Sequence, residues 1–190
     1  MKSSEQLKEI VASRLSERRF RHTMGVVEAA KSLAKFYGAD EYKAEIAAIL
    51  HDVTKEDDYK QQLKYCDEFG IILPNNEREI PPLLHAYTGA YYAKNVLGID
   101  DEEILGAIYY HTTACKDMSL LEKVVYLADY IEINRDFDGV ENVRKIAYDG
   151  IDEAMTVALG QGIIEVIGKG SEIHIDTIGC YNQLIKNKRG

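Results

Sequence analysis

Proline is scarce, at 3 of 190 residues, and no Gly/Ser-rich tract or low-complexity segment marks a linker. Nothing therefore divides the chain, and its length suits one domain with a full apolar core, spanning 1–190. Cysteine is equally sparse. Cys66, Cys115 and Cys180 are odd in number and widely spaced, which excludes a disulfide framework or a zinc cage and suggests reduced thiols in the cytoplasm. No apolar run approaches the roughly 20 residues that a membrane helix needs. Residues Met1 to Ile10 are charged and amphipathic, without the apolar centre of a secretory signal. Positive charge is in deficit, with 23 Lys and Arg against 32 Asp and Glu, a net charge of −9. That excludes general affinity for a nucleic-acid backbone. A small polyanionic substrate would need local cations, from a metal ion or from a few placed Lys and Arg.

Convincing period-two alternation is also missing, and nearly every segment reads at helical period. Ser3 or Ser4 can cap a first helix to about Leu15, followed by helices over about 17–37, stopped by Gly38, and 41–51. The charged connector Lys55 to Asp58 can open a helix to Phe69. Residues 71–80 read as irregular, with a turn at Pro74-Asn75-Asn76. Pro81-Pro82 suits a first helical turn, with the helix running to about Leu97, and Asp100-Asp101 starts another through Thr112. Ser119 and Glu122 form a capping-box signature for a helix from Leu120 to about Ile133. Helices over about 140–148 and 151–167 precede a loop-like stretch, 168–178, and a last helix over about 181–187. The expected fold is a single all-α domain.

Against this apolar background, some polar residues are out of place. Residues three or four apart share a helix face. His22 shares a stripe with Gly25, Val26 and Ala29, and His51 lies below Ala44, Ala47 and Ala48. His85 neighbours Thr88 and Gly89, and His111 lies below Ile104, Ala107 and Ile108. Asp129 interrupts an apolar helix, where an unpaired carboxylate costs on the order of several kcal/mol. Singly, each has an ordinary reading: a hydrogen-bonded core histidine, or an aspartate paired with Arg135. Four stripe histidines, a His51-Asp52 dipeptide and Asp129 in one chain point instead to a metal site, because imidazole and carboxylate together suit Fe, Mn, Zn and similar ions. His174 lies in the loop-like stretch, where periodicity implies nothing.

The order His22, His51-Asp52, Asp129 resembles the HD superfamily of metal-dependent phosphohydrolases. Flanking segments narrow the resemblance: His51-Asp52-Val53-Thr54-Lys55, Leu84-His85-Ala86-Tyr87-Thr88-Gly89, and Tyr109-Tyr110-His111-Thr112-Thr113. With Tyr126-Leu127-Ala128-Asp129-Tyr130-Ile131-Glu132, Arg135 and the tail His174-Ile175-Asp176-Thr177, they are similar to the YqeK-type branch, from about Arg19 onward. That branch is assigned as bacterial symmetrical bis(5′-nucleosyl)-tetraphosphatases, which split diadenosine tetraphosphate into two ADP.

The resemblance implies an HD-type helical bundle, a homodimer, and one divalent or trivalent metal ion, iron in the family, with Mn, Co or Zn also compatible. The implied ligands are His22, His51, Asp52 and Asp129. Asp52, Lys55, His85 and His111 would be catalytic, the last three neutralising phosphate or protonating the leaving group. Arg19, Arg135, Thr112, Glu172, Ile173, His174, Ile175, Asp176 and Thr177 would contact the nucleotide. His85 and His111 could hold a second ion, but neither has a carboxylate beside it on its own stripe, which favours one. Ile175 and Ile133 stand where the family has proline, freeing backbone that proline would hold. Another nucleotide substrate, or nucleotide sensing without turnover, is the alternative.

Overall fold

The computed structural model describes residues 2–73 and 80–189, so the turn expected at Pro74-Asn75-Asn76 lies outside the described residues. Its elements are α1 (Ser4–Arg14), α2 (Glu17–Tyr37), α3 (Glu41–Leu50), α4 (Tyr59–Glu68) and α5 (Pro81–Asn95). They continue with α6 (Glu102–Tyr110), α7 (Leu120–Ile131), α8 (Val140–Ile146), α9 (Ile151–Gly168) and α10 (Ile175–Asn187). No strand occurs among the described residues, and among them no helix is long and apolar enough to cross a membrane.

Local chemistry sets the helix starts. Ser3, rather than Ser4, caps α1, and its hydroxyl and backbone exchange bonds with Gln6. Ser119 and Glu122 close the expected capping box on α7, which satisfies amide groups that have no partner inside the helix. Asp58 caps α4 and so starts it later than the charged connector. Gly38 ends α2 at φ 73°, a left-handed conformation open to glycine.

One region differs from expectation. The loop-like reading of 168–178 is wrong from Ile175 onward, because α10 begins there. His174 is its N-cap, the ring Nδ1 accepting from the Asp176 amide at 3.2 Å. Histidine is not among the usual capping residues, so the start was hidden. Ile175 therefore stands at the first helical position, where the helix itself holds φ near the value that proline would fix.

Helix α2 packs on α3 and α7, and α6 packs on α3, α5 and α7. The core between them holds Leu33, Ile46, Ile49, Leu50, Ile108 and Leu127, all fully buried or nearly so. The buried alanines Ala44, Ala47 and Ala48 let neighbouring helices approach α3 closely. A smaller cluster of Cys66, Ile71, Leu84 and Tyr87 seats α4 against α5. This packing gathers the ends of α3, α6 and α7 around the middle of α2.

Candidate active site

Two histidines reach the centre by the same device. His51 and His111 are the C-cap residues of α3 and α6, just past the last helical turn. Each ring turns back on its own helix, with Nδ1 2.7 Å from the carbonyl of Ala48 or Ile108. That bond places the neutral ring's proton on Nδ1 and leaves Nε2 with a lone pair facing inward. His22 comes from within α2, His85 from α5, and Asp129 from the last turn of α7. His22, His51, His85 and His111 are all buried, as their stripes predicted.

Their polar atoms form two groups that share Asp52. One ligand atom each from His22, His51 and Asp129 lie within 4.8 Å of one another, and the same holds for Asp52, His85 and His111. Asp52 Oδ2 lies 3.8 Å from His22 Nε2 and 3.4 Å from His51 Nε2. Its Oδ1 lies 3.3 Å from His85 Nε2 and 3.8 Å from His111 Nε2. The expectation of a single ion rested on the lack of a carboxylate next to His85 and His111. Asp52, arriving from the end of α3, fills that place.

The cluster's electrostatics call for a cation. Nε2 of His22 and Nε2 of His51 are buried and face carboxylate oxygens, Asp129 at 3.0 Å and Asp52 at 3.4 Å, without the alignment of a hydrogen bond. Burial works to lower the His51 pKa, but Asp52 and then Asp129 outweigh it and raise it, favouring positive charge on that ring. Burial likewise opposes ionisation of Asp52, yet the adjacent His51, with His85 and His111, holds its carboxyl well below the usual range. Asp129 also lies below the usual range: burial is outweighed by His22, 3.0 Å away, and by Arg135. Burial pushes His111 down to about 4, which keeps that ring neutral near pH 7, and burial with the nearby Lys55 holds His85 well below the usual imidazole range. Buried imidazole lone pairs converging on carboxylates are what a divalent ion takes as ligands. The residues present fit a metal ion.

Fixed cations surround the cluster. Arg19 Nη1 lies 3.0 Å from Asp52 Oδ2, and Arg135 Nη2 lies 2.6 Å from Asp129 Oδ1. Lys55 Nζ sits 3.2 Å from His85 Nε2, and burial lowers its pKa. The Thr112 hydroxyl is 3.1 Å from His111 Nε2 and 3.4 Å from His85 Nε2. Thr177 donates to the Thr113 carbonyl at 2.7 Å, tying the start of α10 to the segment after His111. Ile173, His174 and Asp176 are half-buried, whereas Glu172 and Ile175 are exposed.

Several residues that support the site escaped the sequence reading. Glu132 is almost fully buried at the end of α7. Its Oε1 is 3.0 Å from His22 Nδ1, and its Oε2 accepts from the Asn134 backbone at 2.7 Å and side chain at 2.8 Å. It therefore directs the other nitrogen of His22 into the cluster, the usual role of a carboxylate behind a ligand histidine. Gly25 makes room for it: a Cβ there would lie 2.2 Å from Glu132 Oε2. The available signal was spacing, since Glu132 follows Asp129 by three residues. Thr54, Gln62 and Thr88 form a second buried network behind His85, in which Thr54 Oγ1 donates to the His85 carbonyl at 3.1 Å.

Arg144 braces the loop after α7. From α8 it donates to the carbonyls of Ile131, at 2.8 Å, Glu132, at 2.6 Å, and Arg135, at 2.8 Å. Ile133 itself is exposed, and this clamp shapes the loop that carries Arg135. Arg144→Ala should cost on the order of 2 kcal/mol by leaving those carbonyls unmatched, a fall in Tm of about 4–8 °C. Thermal denaturation checks this, and an unchanged Tm would remove Arg144 from the account.

A helical bundle with this His, His-Asp, Asp centre defines an HD-type protein. The HD domain family model matches residues 19–134, and the chain belongs to that family. It is 43% identical over 185 residues to "Bis(5′-nucleosyl)-tetraphosphatase, symmetrical" of Halalkalibacterium halodurans, covering 95% of this chain and 96% of the relative. Against the protein of the same name from Bacillus subtilis it is 41% identical, covering 92% and 94%. A solved structure from Clostridium acetobutylicum, described as a predicted HD superfamily hydrolase involved in NAD metabolism, superposes with a TM-score of 0.94. Identity there is 38%, and the match covers 98% of this chain and 99% of the other.

Proposed function

We propose that this protein is a metal-dependent hydrolase that cleaves diadenosine tetraphosphate at its central anhydride, releasing two ADP. The observation that carries the reading is Asp52, with one oxygen turned to each of two groups of buried histidine nitrogens and with Arg19 3.0 Å away. The curated relatives' names support the substrate. His22, His51, Asp52 and Asp129 hold the ion, and iron is the metal suggested by family resemblance. A bound ion supplies Lewis acidity, withdrawing charge from a phosphoryl oxygen and acidifying water.

The chain's own residues do the rest. Arg135 and Arg19 neutralise charge on the phosphates while keeping Asp129 and Asp52 in place. Water adds to one central phosphorus, the bond from that phosphorus to the bridging oxygen breaks, and ADP departs with that oxygen on its terminal phosphate. Positioning and charge neutralisation supply most of the catalysis in such transfers. Lys55 is the favoured proton donor to the departing phosphate. His111 carries its proton on Nδ1, facing the Ile108 carbonyl, and so has none to give at Nε2. Lys55 offers ammonium protons, and burial lowers its pKa, which makes it a better acid. Lys55→Ala should lower kcat about 10²-fold or more while metal content holds; an unchanged kcat would reassign the acid.

The position of Asp52 favours a second reading of the same centre, with a further ion at Asp52, His85 and His111. Metal quantification on wild type and His85→Ala separates the two: a stoichiometry near two that falls on mutation supports the second ion. The substrate is tested by a turnover panel of diadenosine tetraphosphate, nucleoside mono- and diphosphates, deoxynucleotides and cyclic dinucleotides. Preferential turnover of the first is expected. Turnover of the others alone would overturn the assignment, and tight ADP binding without hydrolysis would make the protein a sensor.

A further inference from the structure

We infer that the two halves of the substrate are recognised differently, one as a nucleoside in an aromatic cleft and the departing one by charge in an arginine groove. The inference rests on the hydrolase reading and assigns new residues to it. Two cavities meet at the cluster. One, of about 610 Å³, runs between α7, the loop after it and α9, from His111 and Asp129 out to Tyr130, Phe137 and Ile164. The other, of about 320 Å³, is lined by Arg18, Arg19, Arg21 and His22 of α2 together with Asn134. Arg135 lines both and is the wall between them. Both volumes fall in the range of small-molecule sites, about 300–1,000 Å³.

The first cavity joins polar and aromatic walls, and the carboxylates of Asp138 and Glu165, the latter paired with Lys169, also line it. At the cluster end it is polar, with Asp129 and Arg135. At the far end Tyr130 and Phe137 meet edge to face, 5.1 Å between centroids, and Ile164 is 70% exposed. The Tyr130 hydroxyl donates to Gln161 Oε1 at 2.7 Å, so an oriented amide stands beside the rings. Aromatic faces with an amide suit a nucleobase, and the polar end suits its phosphates.

The groove has no aromatic residue and four guanidinium groups. Glu132 is the one acid among the described residues that line it, and it and the nearby acids of α2 and the α3–α4 connector are engaged elsewhere. Glu132 is held by His22 and Asn134, and Glu56 binds the backbone and hydroxyl of Ser16. Glu17 meets Arg21 at 3.1 Å in a pair open to water, which holds weakly. In a chain of net charge −9, this concentration of positive charge ending at the cluster attracts phosphate. It offers no aromatic ring on which a base could stack, and its one side-chain amide, Asn134, donates to Glu132. Arg18 and Arg21 thus hold the phosphates of the departing half, and the groove takes polyphosphate irrespective of nucleoside.

Calorimetric titration of inorganic tripolyphosphate into the full chain reads the groove without turnover. Arg18→Ala/Arg21→Ala should weaken its binding about tenfold, while Lys64→Ala/Lys188→Ala, which removes the same charge from other elements, leaves it unchanged. Phe137→Ala should weaken ADP about tenfold and leave tripolyphosphate as in the wild type. Equal losses in the two charge variants, or none in the arginine variant, would overturn the groove. An unchanged ADP affinity in Phe137→Ala would overturn the division of halves. Wild-type turnover of diadenosine tetraphosphate is a separate measurement, so failure of the hydrolase reading is told apart from failure of the groove.

Discussion

Asparagine in place of Asp52 is expected to lower kcat/KM on diadenosine tetraphosphate by about 10³-fold or more, roughly 4 kcal/mol of transition-state stabilisation. The substitution keeps size and shape but removes the negative charge that four imidazoles face within 3.8 Å. An amide nitrogen turned toward either group would oppose a cation rather than hold one. Arg19 would also lose its partner and stand 3.0 Å from a neutral group. Metal content per chain should fall along with activity, because Asp52 is grouped with His85 and His111 and also lies 3.4 Å from His51 and 3.8 Å from His22. Elemental analysis beside steady-state kinetics checks both parts. A variant that keeps its metal and a tenth of its activity would show that Asp52 is not the shared element of the centre.

The second large effect is expected at a residue that touches neither ion nor substrate. Glu132→Ala should lower metal affinity about 10–100-fold, the range for a carboxylate behind a ligand histidine. His22 would lose the partner at Nδ1 that sets its ring orientation and tautomer. The Asn134 amide groups would lose their acceptor as well and, on an exposed residue, turn to water. Gly25→Ala should act in the same direction more mildly, because its Cβ would displace Glu132 Oε2 from 2.2 Å while leaving the carboxylate present. Metal titration of Glu132→Ala, with Glu132→Gln as the conservative variant, separates positioning from folding. Affinity equal to wild type in Glu132→Ala would leave His22 oriented by α2 alone.

Much of this was legible in the chain. Stripes of alanine and isoleucine below His51 and His111 identified their burial, because a helix repeats its face every three or four residues. The capping box at Ser119 and the glycine at 38 gave helix ends correctly, since each carries its own short-range chemistry. The start of α10 was not legible, because its cap is a histidine ring accepting from the Asp176 amide. Glu132 was hidden for a different reason. A glutamate near a helix end reads as solvated, and only the approach of Gly25 on α2 shows that it is enclosed. The relation between the two histidine groups was the deepest omission. Asp52 is adjacent to His51 in sequence, but its nearness to His85 and His111 depends on how α3, α5 and α6 pack.

The central claim is hydrolysis at the middle of a dinucleoside tetraphosphate by a metal-dependent centre. Its most direct test is product identification by anion-exchange chromatography after incubating the metal-loaded protein with diadenosine tetraphosphate. ADP as the sole nucleotide product, lost on chelation and restored by metal, is the result predicted. AMP with ATP, or ADP formed equally well after chelation, would contradict it.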